Sequence, residues 1–243
     1  MTHSALSVSH LSKDFQIDQH KTISVLKDIS FEAQYGEFIS ILGISGSGKS
    51  TLLKCMSSLL IPSSGAICIN GVNPYKLRNS QLAKLRRNHI AFIFQSYNLL
   101  PALPVLENIA LPLRLSHRPV PVATIRNLLS QMKFQADIHA FVKHLSGGEQ
   151  QKVAIARAIL SDSSIVFADE PTGALDSGSR QVIFTLLKQL AQKGKCVLMV
   201  THDIELASQT DRALILKDGQ IAHDIDSPSP DVLYQALGIS TFD

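Results

Sequence analysis

Nine residues, Gly43-Ile44-Ser45-Gly46-Ser47-Gly48-Lys49-Ser50-Thr51, constrain this chain more than any other stretch. They fit the pattern G-x-x-x-x-G-K-[ST]. Before them lies a β-prone run, Phe38-Ile39-Ser40-Ile41-Leu42; after them Leu52, Leu53, Met56, Leu59 and Leu60 recur at helical spacing. Glycines let backbone N–H groups turn inward toward an anion that a Cβ would hold away. Lys49 can then neutralise β- and γ-phosphates, Ser50 can offer a hydroxyl to Mg²⁺, and the helix that starts there aims its unpaired N–H groups at the same charge. Strand, loop and helix in this order make a phosphate cradle. The alternative is a plain Gly/Ser turn, and the pattern arises by chance in roughly one chain of this length in a hundred.

Composition excludes more than it assigns. With 243 residues there is room for one large α/β domain, or a domain with a sizeable insertion, and for a substantial core. Cys55, Cys68 and Cys196 are scattered, odd in number and free of C-x-x-C spacing, so neither a disulfide framework nor a zinc site is expected and a reducing cytosol fits. No apolar run reaches the roughly 18 residues of a spanning helix, and Met1 to Leu11 lacks the layout of a signal peptide. The chain is expected neither to cross a membrane nor to be exported. Its net charge of +3, from 23 basic and 20 acidic residues, is too small to mark a nucleic-acid partner.

Ahead of the cradle, Ser7-Val8, Phe15-Gln16-Ile17 and Ile29-Ser30-Phe31 read as short pieces of an antiparallel sheet. Phe15 is either core or an aromatic that stacks on a purine. Beyond the cradle, Ala66 to Gly71 reads as strand and turn, and Ser80 to Asn88 as a basic helix whose Arg86 and Arg87 are expected to be solvated. Ile90-Ala91-Phe92-Ile93-Phe94 is the continuous apolar run of a buried strand and stops at Gln95. A polar residue there stands where α/β proteins place ligands, although an ordinary loop glutamine also satisfies the pattern. Pro101, Pro104, Pro112, Pro119 and Pro121 then punctuate helical patterns over Val105–Ala110 and Val122–Met132, the mark of a helical insertion whose surface suits a protein partner.

Leu145-Ser146-Gly147-Gly148-Glu149-Gln150-Gln151 precedes a helix expected over Lys152–Leu160, a second Ser/Gly loop opening a helix and hence a second anion site. Ser164 to Ala168 is an apolar strand that runs into Asp169 and Glu170. Neighbouring strand residues point to opposite faces, so Asp169 can face Mg²⁺ while Glu170 reaches an attacking water; a solvated acidic loop is the other reading. Thr172 to Asp176 reads as a turn, with Asp176 starting a helix over Ser177–Gln192. Cys196 to Thr201 is another buried strand. His202 is the third polar residue, after Gln95 and Asp169, to stand at such a strand's end. Lys217-Asp218-Gly219-Gln220 reads as a hairpin turn, followed by a tail of about twenty residues without a separate domain.

Taken in this order, the stretches resemble the ATP-binding-cassette (ABC) ATPases over nearly the whole chain. Gly43 to Thr51 resembles the Walker A loop, with Gly43, Ser45, Gly46, Ser47, Gly48, Lys49, Ser50 and Thr51 as ATP-binding residues. Gln95 resembles the Q-loop, Leu145 to Gln151 the signature, Ile165 to Asp169 the Walker B strand, Ala174 to Asp176 the D-loop and His202 the switch histidine. The resemblance implies an α/β fold: a P-loop NTPase core with an N-terminal antiparallel β-subdomain and an α-helical subdomain insertion. Residues 1–243 would be a single cassette, with 1–95 and 162–243 as catalytic core and 96–161 as the helical part carrying the signature. ATP and Mg²⁺ are the implied cofactors. Glu170, His202 and Gln95 are the implied catalytic residues, Ser50, Gln95 and Asp169 the metal shell, and Phe15 the adenine-stacking aromatic. A homodimer is also implied, each ATP lying between one subunit's Walker A loop and its partner's Ser146, Gly147, Gly148 and Glu149, with Asp176 also at the nucleotide.

Gln95 to Pro101, Glu107-Asn108-Ile109 and Ala168 to Asp176 are similar to the subgroup serving macrolide exporters, lipoprotein-releasing transporters and peptide-antibiotic resistance pumps. That likeness implies a bacterial ATPase subunit, peripheral on the cytoplasmic side of the inner membrane and acting without nucleic acid. It would dock on an integral membrane permease with an extracytoplasmic domain through the helical region after Gln95. Two alternatives are a mechanotransmitting regulator of the cell-division type, which transports nothing, and a soluble ABC ATPase acting on ribosomes or DNA. Three departures from the family pattern remove no catalytic group: Ile44 where proline is common, Lys152 where arginine is frequent, and Val142-Lys143-His144 without the usual proline.

Overall fold

The computed structural model describes residues 4–18 and 21–239. Its elements begin with β1 (Ser4–Gln16), β2 (Thr22–Gln34), β3 (Phe38–Leu42), α1 (Lys49–Met56), β4 (Ser64–Ile69), α2 (Asn79–His89) and β5 (Ile90–Ile93). They continue with α3 (Val105–Leu115), α4 (Val122–Gln131), α5 (Gly147–Leu160), β6 (Ile165–Asp169), α6 (Ser177–Gln192) and β7 (Cys196–Val200). The last are α7 (Ile204–Ala207), β8 (Arg212–Lys217), β9 (Gln220–Asp226) and α8 (Pro230–Leu237).

Continuous apolar strands have no face to give to water and so need cover on both sides. Here they share one six-stranded sheet of order β5-β6-β7-β3-β8-β9, parallel except for β9 at the edge. Every residue of β3, β6 and β7 is buried. The two-residue period of a strand sorts their side chains between two cores. Ile165, Phe167, Ile39 and Ile41 pack with α1 and with Leu6, Leu11 and Leu26 of the second sheet. Val166, Ala168 and Phe38 pack on the other face with residues of α5 and α6, where the Phe38 and Phe184 rings stack 5.2 Å apart. The second sheet is antiparallel and three-stranded, of order β2-β1-β4. α3, α4 and α5 lie between β5 and β6 in the chain and form the helical insertion.

Several sequence expectations need correction. The N-terminal strands are not short pieces but two of 13 residues each. Their pairing tolerates the polar interruptions because the register shifts at bulges, with His10 and Asp28 at positive φ. α1 stops at Met56 instead of running to Leu60, since Ser58 turns the chain at φ 65 and Leu59 is left exposed. Arg86 is not solvated: its Nε donates to Ser58 Oγ at 3.0 Å and its Nη2 to the Ser58 carbonyl, tying α2 to that turn. Arg87 is exposed as expected. α5 begins at Gly147, five residues before the expected start, because Ser146 Oγ caps it by accepting the Glu149 N–H. Without its proline, Val142–His144 forms a single 3₁₀ turn. The tail contains α8, capped by Ser229, with Pro230 in the first turn and Gly238 closing the end. Leu233 anchors that helix among Leu42, Ala207, Ala213 and Ile215.

The cysteines test this packing. Cys55 and Cys196 are fully buried, and burial pushes the Cys55 thiol up to about 11 and that of Cys196 up as well. In a thiol-reagent titration at mildly alkaline pH, only the half-buried Cys68 is expected to react in the native protein, and all three in denaturant. Rapid native reaction of Cys55 or Cys196 would contradict the core described.

Candidate functional site

The parallel ladders bring the strand ends level. Ile93 pairs with Ala168, Ala168 with Met199 and Met199 with Ser40, so the residues that follow β5, β6, β7 and β3 leave along one edge. Those residues are Gln95, Glu170, His202 and the Gly43 loop. Loops at the carboxyl ends of such strands are where open α/β sheets hold ligands.

The loop is wedged between β2 and β8. A Cβ on Gly43, whose φ is 153°, would lie 2.2 Å from the Leu216 carbonyl oxygen and 2.7 Å from Ser47 Oγ. A Cβ on Gly48, at φ 102°, would lie 2.8 Å from Leu26 Cδ2. Lys49 folds back over the loop, its Nζ donating to the carbonyls of Gly43 at 2.8 Å and Ile44 at 2.9 Å. Burial lowers the pKa of this ammonium, against the pull of Glu170 and Asp169, which raise it. Ser47 Oγ is buried without a hydrogen bond. Ser50 Oγ donates to Asp169 Oδ1 at 2.9 Å, and Asp169 is buried. A cradle that a side chain would fill, a buried hydroxyl lacking a partner and a hydroxyl–carboxylate pair of hard oxygens fit a triphosphate with Mg²⁺. No cluster of three or more His, Cys, Asp or Glu exists among the described residues.

Glu170 sits just beyond β6 at φ 50°, a left-handed conformation that non-glycine residues adopt rarely and that concentrates at functional sites. Its N–H donates to the Val200 carbonyl at 3.0 Å, carrying the β6–β7 ladder one step further. His202 Nδ1 lies 2.9 Å from Glu170 Oε2 but off the line of a hydrogen bond, so that buried oxygen accepts none within the chain. The carboxylate is largely covered, while His202 stands out toward solvent at 72% side-chain exposure. Both border a cavity of about 400 Å³ together with Gln95, Tyr97 and Gln151. A smaller cavity of about 220 Å³ is shared by Gln95 and Asp169.

The second Ser/Gly loop lies elsewhere. Ser146 and Gly147 are exposed at the start of α5. The loop's neighbours are Tyr97, Ala174 and Leu175, whereas the cradle's are Val25, Leu26 and Leu216. Glu149 turns inward, its Oε1 2.9 Å from Lys152 Nζ, which also donates to the Lys133 carbonyl at 3.0 Å. A lone ammonium serves one carboxylate oxygen where a guanidinium fork would serve two, and Glu149 Oε2 is buried without a partner. Asp176 is exposed and caps α6, accepting from Ser179 N at 2.9 Å and Ser179 Oγ at 2.7 Å, bonds that hold its carboxyl below the usual range. Phe15 is not core: it is 38% exposed, pairs with Ile23 on β2, and has Lys13 Nζ 5.0 Å from its ring centre.

Three residues at the site fall within stretches read from the sequence but were given no role of their own there. Gln151 is 1% exposed and its Nε2 donates to the Pro171 carbonyl at 2.9 Å. Arg157 donates to the Tyr97 and Asn98 carbonyls at 3.0 and 2.8 Å, and Tyr97 covers Gly147 with its hydroxyl. Gln151 shares an (i, i+4) helix face with the buried Ile155, which is the one local sign of its position.

The sequence pattern of the ABC transporter family matches residues 26–173. This chain belongs to that family. The ABC cassette is 40% identical over 219 residues to the macrolide export ATP-binding/permease protein MacB of Bdellovibrio bacteriovorus, covering 90% of this chain and 34% of that protein. The chain thus spans about a third of the length of its macrolide-export relatives. It is 39% identical over 217 residues to the lipoprotein-releasing system ATP-binding protein LolD of Shewanella frigidimarina, covering 88% of this chain and 90% of that one. Among solved structures it is similar to the dimeric, post-hydrolysis state of the ATP-binding cassette MJ0796 bound to ADP and Pi, with a TM-score of 0.85 and 36% identity, over 92% of this chain and 99% of that one.

Two glycines of the ABC loop separate sterics from backbone strain. A Cβ on Gly46 meets nothing within 4 Å at φ 81°, so Gly46→Ala bears only the left-handed backbone cost, about 1–2 kcal/mol. Gly43→Ala also drives a methyl into the Leu216 backbone. Thermal denaturation without nucleotide is expected to show a larger loss of stability in Gly43→Ala than in Gly46→Ala; equal losses would contradict the wedged loop.

Proposed function

We propose that this chain is the ATP-hydrolysing subunit of a bacterial transporter that works with an integral membrane permease to export or remove a lipid-associated substrate, a lipoprotein, a macrolide or an antimicrobial peptide. The observation that carries the hydrolytic reading is the buried, unbonded Oε2 of Glu170 on the same sheet edge as the Lys49 cradle. Gly43 to Thr51 hold the triphosphate, and Lys49 exchanges the carbonyls of Gly43 and Ile44 for β- and γ-phosphate oxygens. Ser50, Asp169 and Gln95 hold Mg²⁺, which when bound neutralises phosphate charge. Glu170 accepts the proton of the attacking water, His202 stands beside it to stabilise the developing charge, and exposed Phe15 stacks on adenine. In domain terms, residues 1–95 and 162–243 form the catalytic core and 96–161 the helical part.

The exposed start of α5 needs a partner. Ser146, Gly147, Gly148 and Glu149, with Asp176 nearby, bind the nucleotide of a second copy, so two cassettes close around two ATP molecules. The dimeric state of the similar ADP- and Pi-bound cassette supports this arrangement. Binding the γ-phosphate closes the pair and hydrolysis opens it.

Permease docking is supported by a cavity of about 520 Å³ between α2, the end of β5, α3 and α5. Leu59, Phe92, Phe94, Leu111 and Leu115 give it an apolar lining, with Arg87 at its side. The names of the macrolide-export and lipoprotein-releasing relatives point to the same class of work. No helix among the described residues is long and apolar enough to cross a membrane. On this reading the cassette sits peripherally on the cytoplasmic side of the inner membrane, with the apolar groove against the permease.

Glu170→Gln keeps the site's shape and removes the base. It is expected to lower turnover by about 10²- to 10⁴-fold and to accumulate an ATP-bound dimer on size-exclusion chromatography. A variant that stays monomeric at every ATP concentration would sink the paired-cassette reading. Lys49→Ala is expected to weaken ATP binding itself, and unchanged affinity by calorimetry would reject the role given to Lys49.

A further inference from the structure

Glutamine in the middle of a buried helix face is costly unless its amide is bonded, because an unpaired buried amide loses its hydration for nothing. Gln151 is 1% exposed, and its bond is long-range in sequence: Nε2 of α5 donates to the carbonyl of Pro171 at 2.9 Å. Pro171 follows Glu170, whose backbone is left-handed at φ 50°. Such a conformation persists only where the surroundings hold it. Three hydrogen bonds hold it: Glu170 N–H to the Val200 carbonyl on the strand side, Gly173 N–H to the Glu170 carbonyl at 3.3 Å within the turn, and Gln151 to the Pro171 carbonyl, the one that reaches α5. The fixed φ of proline leaves little slack in the last anchor.

Gln151 also lies one helical turn after Gly147, on the rigid element that begins with the exposed Ser/Gly loop, and borders the cavity shared by Glu170 and His202. We infer that Gln151 is a positioning residue, which through Pro171 sets the backbone carrying Glu170 and so makes the start of α5 and the water-activating carboxylate move as one. This rests on the hydrolytic role proposed for Glu170. A shift of α5 when its loop meets a partner's nucleotide therefore reaches the base of the same chain through a single buried amide.

The test is Gln151→Met in the full chain, which keeps side-chain length and removes the donor. Expected is a fall in kcat of roughly ten- to a hundredfold, the scale of a slightly misplaced catalytic group, with KM for ATP unchanged. In the Glu170→Gln background the same substitution is expected to change neither the residual single-turnover rate nor the ATP-dependent dimer, because the group it positions is already gone. An unchanged kcat overturns the inference. So does an equal fold-loss, or a weakened dimer, in the Glu170→Gln background, since either shows Gln151 acting through packing or the loop. Should Gln151→Met fail to fold, Gln151→Asn, which keeps the amide but falls short of Pro171, is read by the same criteria. A wild-type chain that turns over no ATP overturns the hydrolytic reading instead, before any variant is compared.

Discussion

Ile41 pairs with Val200, and Val200 pairs with Asp169. This register decides where every polar residue beyond the strands emerges. It sets Asp169 within 2.9 Å of Ser50 at the head of α1, and it lets Glu170 extend the ladder by one more bond to Val200. Strand side chains alternate faces, so a slip of one residue in β6 would turn Asp169 away from the cradle and carry Phe167 into the wrong core. The apolar residues of β3, β6 and β7 thus position the site as well as stabilise the fold. They are sorted between two cores, and only one register satisfies both.

What the sequence disclosed follows from this division. The cradle, Asp169 with Glu170, and Asp176 as a helix cap were legible because each depends on neighbours a few residues away. Gln95 and His202 were legible as a pattern, polar residues at the ends of apolar runs, and the parallel ladders turn that pattern into proximity. Gln151, Arg86 and Arg157 could not be read in this way. Their partners are Pro171, Ser58 and the Tyr97–Asn98 carbonyls, 20 to 60 residues distant in the chain, and no local spacing encodes such bonds. The length of β1 and β2 was hidden by their bulges, which break the two-residue period that announces a strand while leaving the pairing intact. α8 was a different failure: Ser229-Pro230 and Gly238 are ordinary boundary signals that the sequence did contain.

Glu149 shows how a departure from the family pattern acts through ordinary chemistry. The carboxylate has Lys152 as its cation, and Lys152 divides its protons between Glu149 Oε1 and the Lys133 carbonyl. Both side chains are largely covered, 18% and 8% exposed, so the pair forgoes much of its hydration. One carboxylate oxygen remains without a donor. The start of α5 is consequently held by a partly satisfied pair, and the Ser146 cap and the Gln150 amide bond to the Leu145 carbonyl share in fixing the loop.

Unpaired buried atoms elsewhere carry the same meaning. Among the described residues, the buried side-chain atoms without a hydrogen bond are Gln34 Oε1, Ser47 Oγ, Glu149 Oε2 and Glu170 Oε2. Three of the four belong to the cradle, the signature loop and the proposed base. Each unmet group costs about 1–3 kcal/mol, more for a charged one, a penalty that packing alone gives no reason to place at these loops. Lys49 shows the complementary arrangement, its ammonium bonded to carbonyls of its own loop. A bound triphosphate would take up that ammonium, the hydroxyl of Ser47 and the loop amides together. The left-handed backbone at Glu170 is held by the bonds around it, which fixes where the carboxylate stands. Stability and the incomplete polar groups therefore come from different residues on the same scaffold, the apolar registers of β3, β6 and β7 on one side and Ser47, Glu149 and Glu170 on the other.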